Sequence, residues 1–337
     1  MVAGPADPRR CATPARSVAA TGAIHSRPTP PRGSPPLPTI ITRASLIPPL
    51  QVTLGAVAIS FSSVFVRLAQ VGPTSAGFYR MLFGALTLLL VLPLLGGRLR
   101  PDRRSLGLAL LAGLLFAGDL SVWHRSIQGV GPGLATVLGN FQVFVMVGVG
   151  ALFLHERITP RVLLAVTLAL GGLLLLVGPG WSALGGQWRS GVLFGLATAL
   201  FYAAFIITLR RLQRRPESRH QVMNMALVAL WTTLFLAGAV PLSGESFAIP
   251  DPLTFTWLLA YGVLCQALGW YLIARGLPGL PLSVAGILIL LQPALAFLWD
   301  MLLFDRPTTA ADLVGAAIVL AAIYLAVTRA PASPGDG

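Results

Sequence analysis

Ten apolar runs, each long enough to cross a lipid bilayer, follow one another along almost all of the chain after residue 46. The hydrocarbon core of a bilayer requires about 20 predominantly apolar residues per helix. The alternating segments typical of outer-membrane barrels are absent from these runs, whereas a helix satisfies its own backbone hydrogen bonds in lipid. We therefore predict an all-α integral membrane protein. Its ten predicted transmembrane helices are residues 49–69, 73–94, 105–127, 133–154, 159–178, 190–210, 220–241, 253–275, 281–304 and 308–328.

The basic residues are all arginine, and the connections share them unevenly. If the N-terminus is cytoplasmic, 19 of the 24 arginines lie on the cytoplasmic side, whereas the outer side has only Arg67, Arg125, Arg189 and Arg306. The positive-inside rule then predicts a multi-pass protein of the inner (plasma) membrane with both termini in the cytoplasm. The net charge of +13 is thus an orientation signal, and we expect no nucleic-acid partner.

Residues 1–46 differ from the rest of the chain because they hold nine prolines and six arginines but only one acid, Asp7. Such a segment buries too little apolar surface to offset its chain entropy, so we predict a disordered N-terminal tail. An organellar transit peptide is the alternative. Residues 331–337 form a short cytoplasmic tail in this scheme. The two cysteines, Cys11 and Cys265, indicate neither a disulfide framework nor a metal site.

The two halves of the helical region resemble each other. In the first and sixth predicted helices the offset is 140 residues, where Gly55, Phe61 and Phe65 match Gly195, Phe201 and Phe205. From the third helix onward the offset is 150, and the matched pairs there are Arg125 with Arg275, Ala135 with Ala285, Gln142 with Gln292, Leu163 with Leu313, and Val177 with Val327. An odd number of helices per copy makes the copies inverted, as in many secondary transporters. We therefore predict two inverted five-helix repeats, residues 47–178 and 188–330.

Several local motifs add a resemblance to a known family. One is Ala267-Leu268-Gly269-Trp270-Tyr271 in the eighth predicted helix, and another is Phe78-Tyr79-Arg80 in the second. A Gly/Pro turn that leads into a long apolar helix closed by an acid and a base occurs twice, as Gly131-Pro132-Gly133 to Leu154-His155-Glu156-Arg157 and as Pro278-Gly279-Leu280-Pro281 to Phe304-Asp305-Arg306. In this order the motifs resemble EamA-type permeases of the drug/metabolite transporter superfamily. The second copy departs from the pattern, because Asp305 stands in place of glutamate and one residue early.

The resemblance implies transport of a small metabolite, often export, without a fixed substrate. Together with the repeat it predicts a secondary transporter that moves an amino-acid-like or drug-like solute by alternating access, coupled to protons or working by exchange. The expected partners are that solute and the lipid bilayer, with a homodimer left open, and no metal or cofactor is expected. The alternative is a membrane-embedded enzyme or a structural bundle. An enzyme is disfavoured because the sequence has no His-Glu-x-x-His pair, no Gly-x-Ser-x-Gly turn and no phosphate-binding loop.

Charged residues well inside predicted helices are the first candidates for the site, because an ionisable group in a bilayer costs about 2.5–3.5 kcal/mol and is usually paired or faces a cavity. Asp119 in the third helix and Asp300 in the ninth are such acids. Asp119 is either a proton-coupling residue or half of a static pair with Arg80 or Arg125. His124 follows it toward the outer surface. For Asp300, which lies nearer the end of its helix, a structural role is the favoured interpretation.

Amide side chains near mid-membrane depth are the second group of candidates. Gln142 and Gln292 lie near the middle of the fourth and ninth helices and are related by the repeat. Each can bind substrate or hydrogen-bond a neighbouring helix, and their matching depth favours a shared cavity. Weaker candidates are Asn140, Gln266, Trp270 and Tyr202.

Overall fold

The structure is a computed structural model that describes residues 43–98, 100–156, 158–177, 188–214, 221–304 and 309–327. Every regular element in these ranges is helical, and no strand occurs in them. The α-helices are α1 (Arg43–Ser60), α2 (Ser62–Leu68), α3 (Pro73–Leu94), α4 (Arg103–Asn140), α5 (Gln142–Leu154), α6 (Pro160–Val177), α7 (Trp188–Gln213), α8 (Gln221–Leu242), α9 (Pro252–Ala260), α10 (Trp270–Gly276), α11 (Leu282–Ile289), α12 (Leu291–Phe304) and α13 (Ala310–Val327). A π-helical segment, Tyr261–Gly269, joins α9 to α10.

Helix α1 begins at Arg43, inside the segment predicted to be a disordered tail. Its first turn therefore extends the first helix beyond the apolar run from which it was predicted. The rest of the predicted tail, residues 1–42, and the predicted C-terminal tail lie outside the described residues.

Within the described ranges, seven helical stretches are long and apolar enough to cross a membrane. They are Leu46–Leu68, Pro73–Leu94, Arg103–Val130, Arg189–Gln213, Gln221–Leu242, Pro252–Gly279 and Leu282–Phe304. Three shorter apolar stretches, Leu138–Leu154, Pro160–Gly172 and Leu313–Ala322, fall in the fourth, fifth and tenth predicted helices. The protein is thus all-helical in its described part, with seven membrane-capable helices. The count of ten stays a prediction.

Helix α4 differs from the sequence prediction, which placed two helices at 105–127 and 133–154. Helical hydrogen bonding continues across the predicted turn as far as Asn140. Nevertheless, a methyl group on Gly195 would lie 2.6 Å from Leu138 Cβ and 2.9 Å from Ser126 Oγ. A straight helix would separate two residues twelve apart by about 18 Å. The chain therefore reverses direction between Ser126 and Leu138, so that both arms of α4 pack against α7.

Three helices are interrupted by a single residue, and a fourth changes its winding. Phe61 separates α1 from α2, Phe141 separates α4 from α5, and Leu290 separates α11 from α12. The π-helical segment lies inside the stretch Pro252–Gly279. Interruptions of this kind redirect side chains and often mark functional sites. The breaks at Phe141 and Leu290 and the π-helical segment adjoin buried polar residues described below.

Small residues bring helices from the two halves of the chain into close contact. A methyl group on Gly55 of α1 would lie 2.6 Å from the Gly269 carbonyl oxygen. On Gly172 of α6 it would lie 2.6 Å from the Gly315 carbonyl oxygen of α13. Such contacts allow backbones to approach and are typical of membrane helices. Large apolar side chains such as Leu90 (73% exposed) and Leu242 (86% exposed) face outward, where lipid can cover them.

Candidate functional site

Buried polar and aromatic side chains from both halves of the chain meet inside the bundle. We call this group the central cluster. It consists of Arg80 on α3, Phe116 and Asp119 on α4, Tyr202 and Phe205 on α7, Tyr261 on the π-helical segment, Trp270 on α10 and Gln292 on α12. Five of its members were candidates in the sequence analysis: Arg80, Asp119, Gln292 and, as weaker candidates, Tyr202 and Trp270.

Three aromatic rings form one wall of the central cluster. The Phe116 and Phe205 rings are stacked, with centroids 4.4 Å apart and planes inclined by 9°. The Trp270 ring meets both edge-on, at 5.3 Å from Phe116 and 4.9 Å from Phe205. The ring of Tyr202 lies 6.1 Å from Trp270 in a similar edge arrangement. Because Trp270 is only 1% exposed, this wall is an apolar surface inside the bundle.

Arg80 carries the positive charge of the cluster and is 6% exposed. Its Nη1 donates a hydrogen bond to the Tyr261 hydroxyl oxygen at 3.1 Å. The guanidinium carbon lies 5.0 Å from the centroid of the Tyr261 ring and 5.8 Å from that of Phe116. Aromatic faces attract cations at such distances. Tyr261 thus holds Arg80 in place, although nothing in the sequence distinguished this tyrosine from a packing residue.

Asp119 carries the negative charge and is 7% exposed. It interacts electrostatically with Arg80 and with Tyr202. In the described part of the chain, however, no cationic side chain makes an ion pair with it within 4.0 Å. Arg125, the other predicted partner, is exposed. The static pair considered in the sequence analysis is therefore not a direct contact here.

Several polar atoms of the cluster have no hydrogen-bond partner among the described residues. They are Arg80 Nε, Asp119 Oδ1, Trp270 Nε1 and Gln292 Nε2. Leaving a buried donor or acceptor unpaired costs about 1–3 kcal/mol, and more for a charged group. These atoms supply donors, an acceptor and both signs of charge around the aromatic wall. The chemistry of the cluster therefore suits a small solute with polar groups of both charges.

The repeat-related glutamines occupy equivalent positions next to helix breaks. Gln142 is the first residue of α5, directly after the break at Phe141, and Gln292 is the second residue of α12, after the break at Leu290. Gln292 lies close enough to the Tyr202 hydroxyl to influence it and so belongs to the central cluster. Gln142 is fully buried, and neither of its amide atoms has a partner in the described ranges. No described contact joins Gln142 to the cluster.

The four weaker candidates from the sequence lie in different places. Tyr202 and Trp270 are central members of the cluster. Gln266 on the π-helical segment is 1% exposed, and its amide atoms also lack partners among the described residues. It lies where α3 approaches, since a methyl group on Gly84 would lie 2.6 Å from Gln266 Cβ. Asn140 is buried at the end of α4.

Another predicted site residue, His124, lies away from the cluster. The His124 Nδ1 atom is 3.3 Å from Thr74 Oγ1 at the start of α3, so His124 belongs to the predicted outer end of the bundle. Asp300 lies on α12, but its side chain is outside the described residues. Its neighbour Trp299 stacks on Phe61 at 4.5 Å. No group of three potential metal ligands occurs in the described part of the chain.

At the same predicted outer end, Glu245 follows α8 and caps helix α3. Its Oε1 accepts from the Thr74 backbone N–H at 3.2 Å, and its Oε2 accepts from Ser75 N–H at 2.8 Å. Partial burial raises the pKa of Glu245, but the hydrogen bonds from Ser75 and Thr74 outweigh it and hold the pKa below its usual value. The charged carboxylate therefore fastens a helix of the first half of the chain to the second half.

Comparisons with known proteins agree with these observations. The EamA-like transporter family matches the chain twice, over residues 47–178 and again over residues 189–328. An uncharacterized transporter of Archaeoglobus fulgidus is 28% identical over 82% of this chain and 94% of its own length. The pseudopaline exporter CntI of Pseudomonas aeruginosa is 26% identical over 75% of this chain and 85% of its own. A probable amino-acid metabolite efflux pump of Salmonella typhimurium is 27% identical over 59% and 68%.

A solved crystal structure has the same fold. It aligns with a TM-score of 0.72 over 85% of this chain and 97% of the other chain, at 18% sequence identity. The unaligned part of this chain is shorter than either family-matched segment, so the similarity extends into both segments.

Proposed function

The chain belongs to the EamA-like transporter family, and from that premise we propose that it is a secondary transporter that exports a small, amino-acid-like zwitterion. The observation that carries the proposal is the buried pair of opposite charges, Arg80 and Asp119, beside an aromatic wall. Both side chains keep hydrogen-bonding atoms without partners among the described residues. We propose the inner (plasma) membrane as its location, with both termini in the cytoplasm.

Each charge suits one end of such a solute. The guanidinium of Arg80 can donate paired hydrogen bonds to a carboxylate. Asp119 Oδ1 can accept from an ammonium group. The apolar part of the solute would pack against the rings of Phe116, Phe205 and Trp270, since small-molecule sites combine apolar walls with a few polar groups. The name of the Salmonella relative, an amino-acid metabolite efflux pump, supports both the class of solute and the direction.

The packing of helices supports inverted repeats. Helix α1 packs against α10, the π-helical segment and α12 of the second copy, while α7 packs against α4 and α5 of the first. The second helices of the copies, α3 and α8, pack against each other, as do the last, α6 and α13. This reciprocal pattern is the one expected when a pseudo-twofold axis relates the two copies. In such transporters the substrate site lies between the repeats, at helix breaks, and movement of one unit exposes it to each side in turn.

The charge on Asp119 can couple export of the solute to a proton or to exchange. An unneutralised carboxylate in the membrane is costly, so it needs a cation in every state in which it is buried. The ammonium group of the bound solute neutralises the carboxylate, and a proton neutralises it after the solute has left. This alternation gives proton-coupled export, or exchange of one solute molecule for another. Arg80, which is always protonated, keeps its charge throughout.

The experiment starts from a metabolite profile of cells with and without the protein, which identifies the exported solute. Purified protein in proteoliposomes is then tested with three competitors: the solute, its methyl ester and its deaminated analogue. Because each analogue leaves one buried charge unpaired, we expect each to compete at least about tenfold more weakly. Equal competition by all three contradicts the proposed site, and chemical conversion of the solute would identify a membrane-embedded enzyme instead.

A matched pair of variants isolates the role of Arg80. Arg80→Gln should remove the preference for the solute over its methyl ester. Arg275→Gln is the control, because Arg275 also donates to a tyrosine hydroxyl, Tyr271 at 3.1 Å, but lies exposed outside the central cluster. The control should retain the preference.

A further inference from the structure

Helix α11 receives its N-terminal cap from the other half of the chain. The N-cap residue is Pro281, whose side chain makes no capping hydrogen bond. In its place, Glu156 Oε1 accepts from the Leu282 backbone N–H at 2.8 Å. Its Oε2 lies 3.4 Å from Ser283 N and 3.3 Å from Ser283 Oγ. The first N–H groups of a helix have no partner within it, and the helix dipole favours an anion there.

Two arginines strengthen this contact, Arg210 in the last turn of α7 and Arg214 directly after the helix. Arg210 is buried, and its Nη1 lies 3.5 Å from Glu156 Oε1. Its Nη2 donates to the Leu280 carbonyl oxygen. Arg214 donates to the Pro278 carbonyl oxygen from Nε at 3.2 Å and from Nη2 at 2.7 Å. The turn that precedes α11 is therefore fastened to α5 and α7 by charge-assisted hydrogen bonds, which are the stronger kind.

The local sequence aims Glu156 at this position. His155 ends α5 with a φ of 53°, in the left-handed region, so the chain turns back on itself. The Glu156 backbone N–H then donates to the Gly150 carbonyl oxygen at 2.9 Å. A methyl group on Gly150 would lie 2.6 Å from Glu156 Oε2. Glycine at this position thus leaves room for the carboxylate, and alanine would displace it.

We propose that Glu156 is a latch that closes the predicted cytoplasmic end of the transporter. The latch consists of Glu156, Arg210 and the first turn of α11. While it is closed, α5 and α11 stay together and the central cluster has no path to the cytoplasm; its release opens that path. The inference rests on the proposed function, because a latch of this kind has a role only if the central cluster faces the two sides in turn.

Glu156 does more than cap a helix, because its contact joins the two halves of the chain. Glu156 lies in the first family-matched segment, and Leu282, Ser283 and Arg210 lie in the second. Behind the contact, α5 and α11 meet through apolar and small residues, since a methyl group on Gly286 would be only 3.4 Å from Met146 Sδ. Among the described residues, no hydrogen bond is found between α5 and this part of α11. The polar bonds of the interface are therefore concentrated at its end, where water can replace them when the helices part.

The test measures opening directly, without transport. Met146, fully buried at the α5–α11 interface, is replaced by cysteine in a background without Cys11 and Cys265. The labelling rate with a membrane-impermeant maleimide is measured in inside-out and right-side-out vesicles. Glu156→Gln keeps the size of the side chain but removes the charge, and we expect about tenfold faster labelling from the cytoplasmic side. Gly150→Ala, which displaces the carboxylate, should act in the same direction.

Glu245→Gln is the matched control, because Glu245 also caps a helix of the other half but at the opposite end of the bundle. It should leave cytoplasmic labelling at the rate of the parent protein. Unchanged labelling in both Glu156→Gln and Gly150→Ala, or an equal increase in the control, overturns the latch. Solute export is measured separately on the same vesicles. A protein that opens as expected but moves no solute contradicts the transport proposal and, with it, the role of the latch, whereas unchanged labelling with normal export contradicts the latch alone.

Discussion

A methyl group at Gly262 should force helix α3 away from the π-helical segment at the central cluster. It would lie 2.5 Å from Phe83 Cβ, 2.9 Å from the Gly84 nitrogen and 3.1 Å from the Arg80 carbonyl oxygen, whereas an ordinary contact to Cβ is 3.4–4 Å. These atoms belong to the backbone or are fixed to it, so rotation of a side chain cannot relieve the overlap. The backbones must therefore separate by about 1 Å, since a close-packed interior cannot absorb the volume.

Such a separation acts directly on the site. The Arg80–Tyr261 hydrogen bond is 3.1 Å long, and about 1 Å more takes it beyond hydrogen-bonding range. We expect Gly262→Ala to destabilise the protein by about 1–3 kcal/mol through overpacking. We also expect it to reduce the initial rate of solute export by about tenfold or more, as misplacement of a binding group does.

The assay combines thermal unfolding of the purified protein with initial export rates in proteoliposomes. Gly238→Ala on α8 is the control, because nothing lies within 4 Å of the added methyl group. It should export at the wild-type rate and unfold at the same or a higher temperature, since alanine favours a helix more than glycine does. If Gly262→Ala matches the wild type in both measurements, the close crossing does not position Arg80 and the reasoning is refuted.

Three further predictions concern other parts of the molecule. The wild type should be about 1 kcal/mol more stable than Glu245→Gln at neutral pH. Because the pKa of Glu245 is lowered on folding, this advantage should disappear as the pH falls below the ordinary value of 4.5 and through the folded-state pKa; a constant difference contradicts it. A reporter active only in the cytoplasm should work when fused at Gly337 and be silent at Gly186, and the reverse result overturns the orientation. Cysteines at Gln142 and Gln292 should react with a small polar reagent and be protected by substrate; if both stay unreactive while export continues, the amides only hold helices together.

The lengths of the apolar runs predicted the helices well where a run ends at a clear boundary. The predicted helices 73–94 and 220–241 agree with α3 and α8 to within one residue. The breaks at Phe141 and Leu290 were not predicted, although Pro293 is a signal for the second, because it has no N–H to donate to the Ile289 carbonyl oxygen. No proline lies close to Phe141. A break without a proline, such as that at Phe141, depends on tertiary packing. The π-helical winding of Tyr261–Gly269 has no sequence signal either, since all of its residues fit an α-helix.

The charged members of the site were easier to predict than the aromatic ones. Arg80 and Asp119 are conspicuous because a charge in an apolar run needs a reason. Tyr202 and Tyr261 are not, because an aromatic residue in a membrane helix is typically a packing residue or an interfacial anchor. Only the arrangement of α3, α7 and the π-helical segment brings their hydroxyls beside the charges. Glu156 was noted as part of a family motif, but its role at α11 depends on a contact 126 residues away in the chain.

The most direct test of the central claim is the pH dependence of export by Asp119→Asn. This substitution preserves the size of the side chain and removes the charge that we propose binds the ammonium group and the proton in turn. Export is measured in proteoliposomes across a range of external pH, with the amount of inserted protein determined for each variant. The account predicts that export is lost, or that what remains no longer depends on pH. Export at the wild-type rate, with the wild-type pH dependence, from a well-inserted Asp119→Asn protein contradicts it.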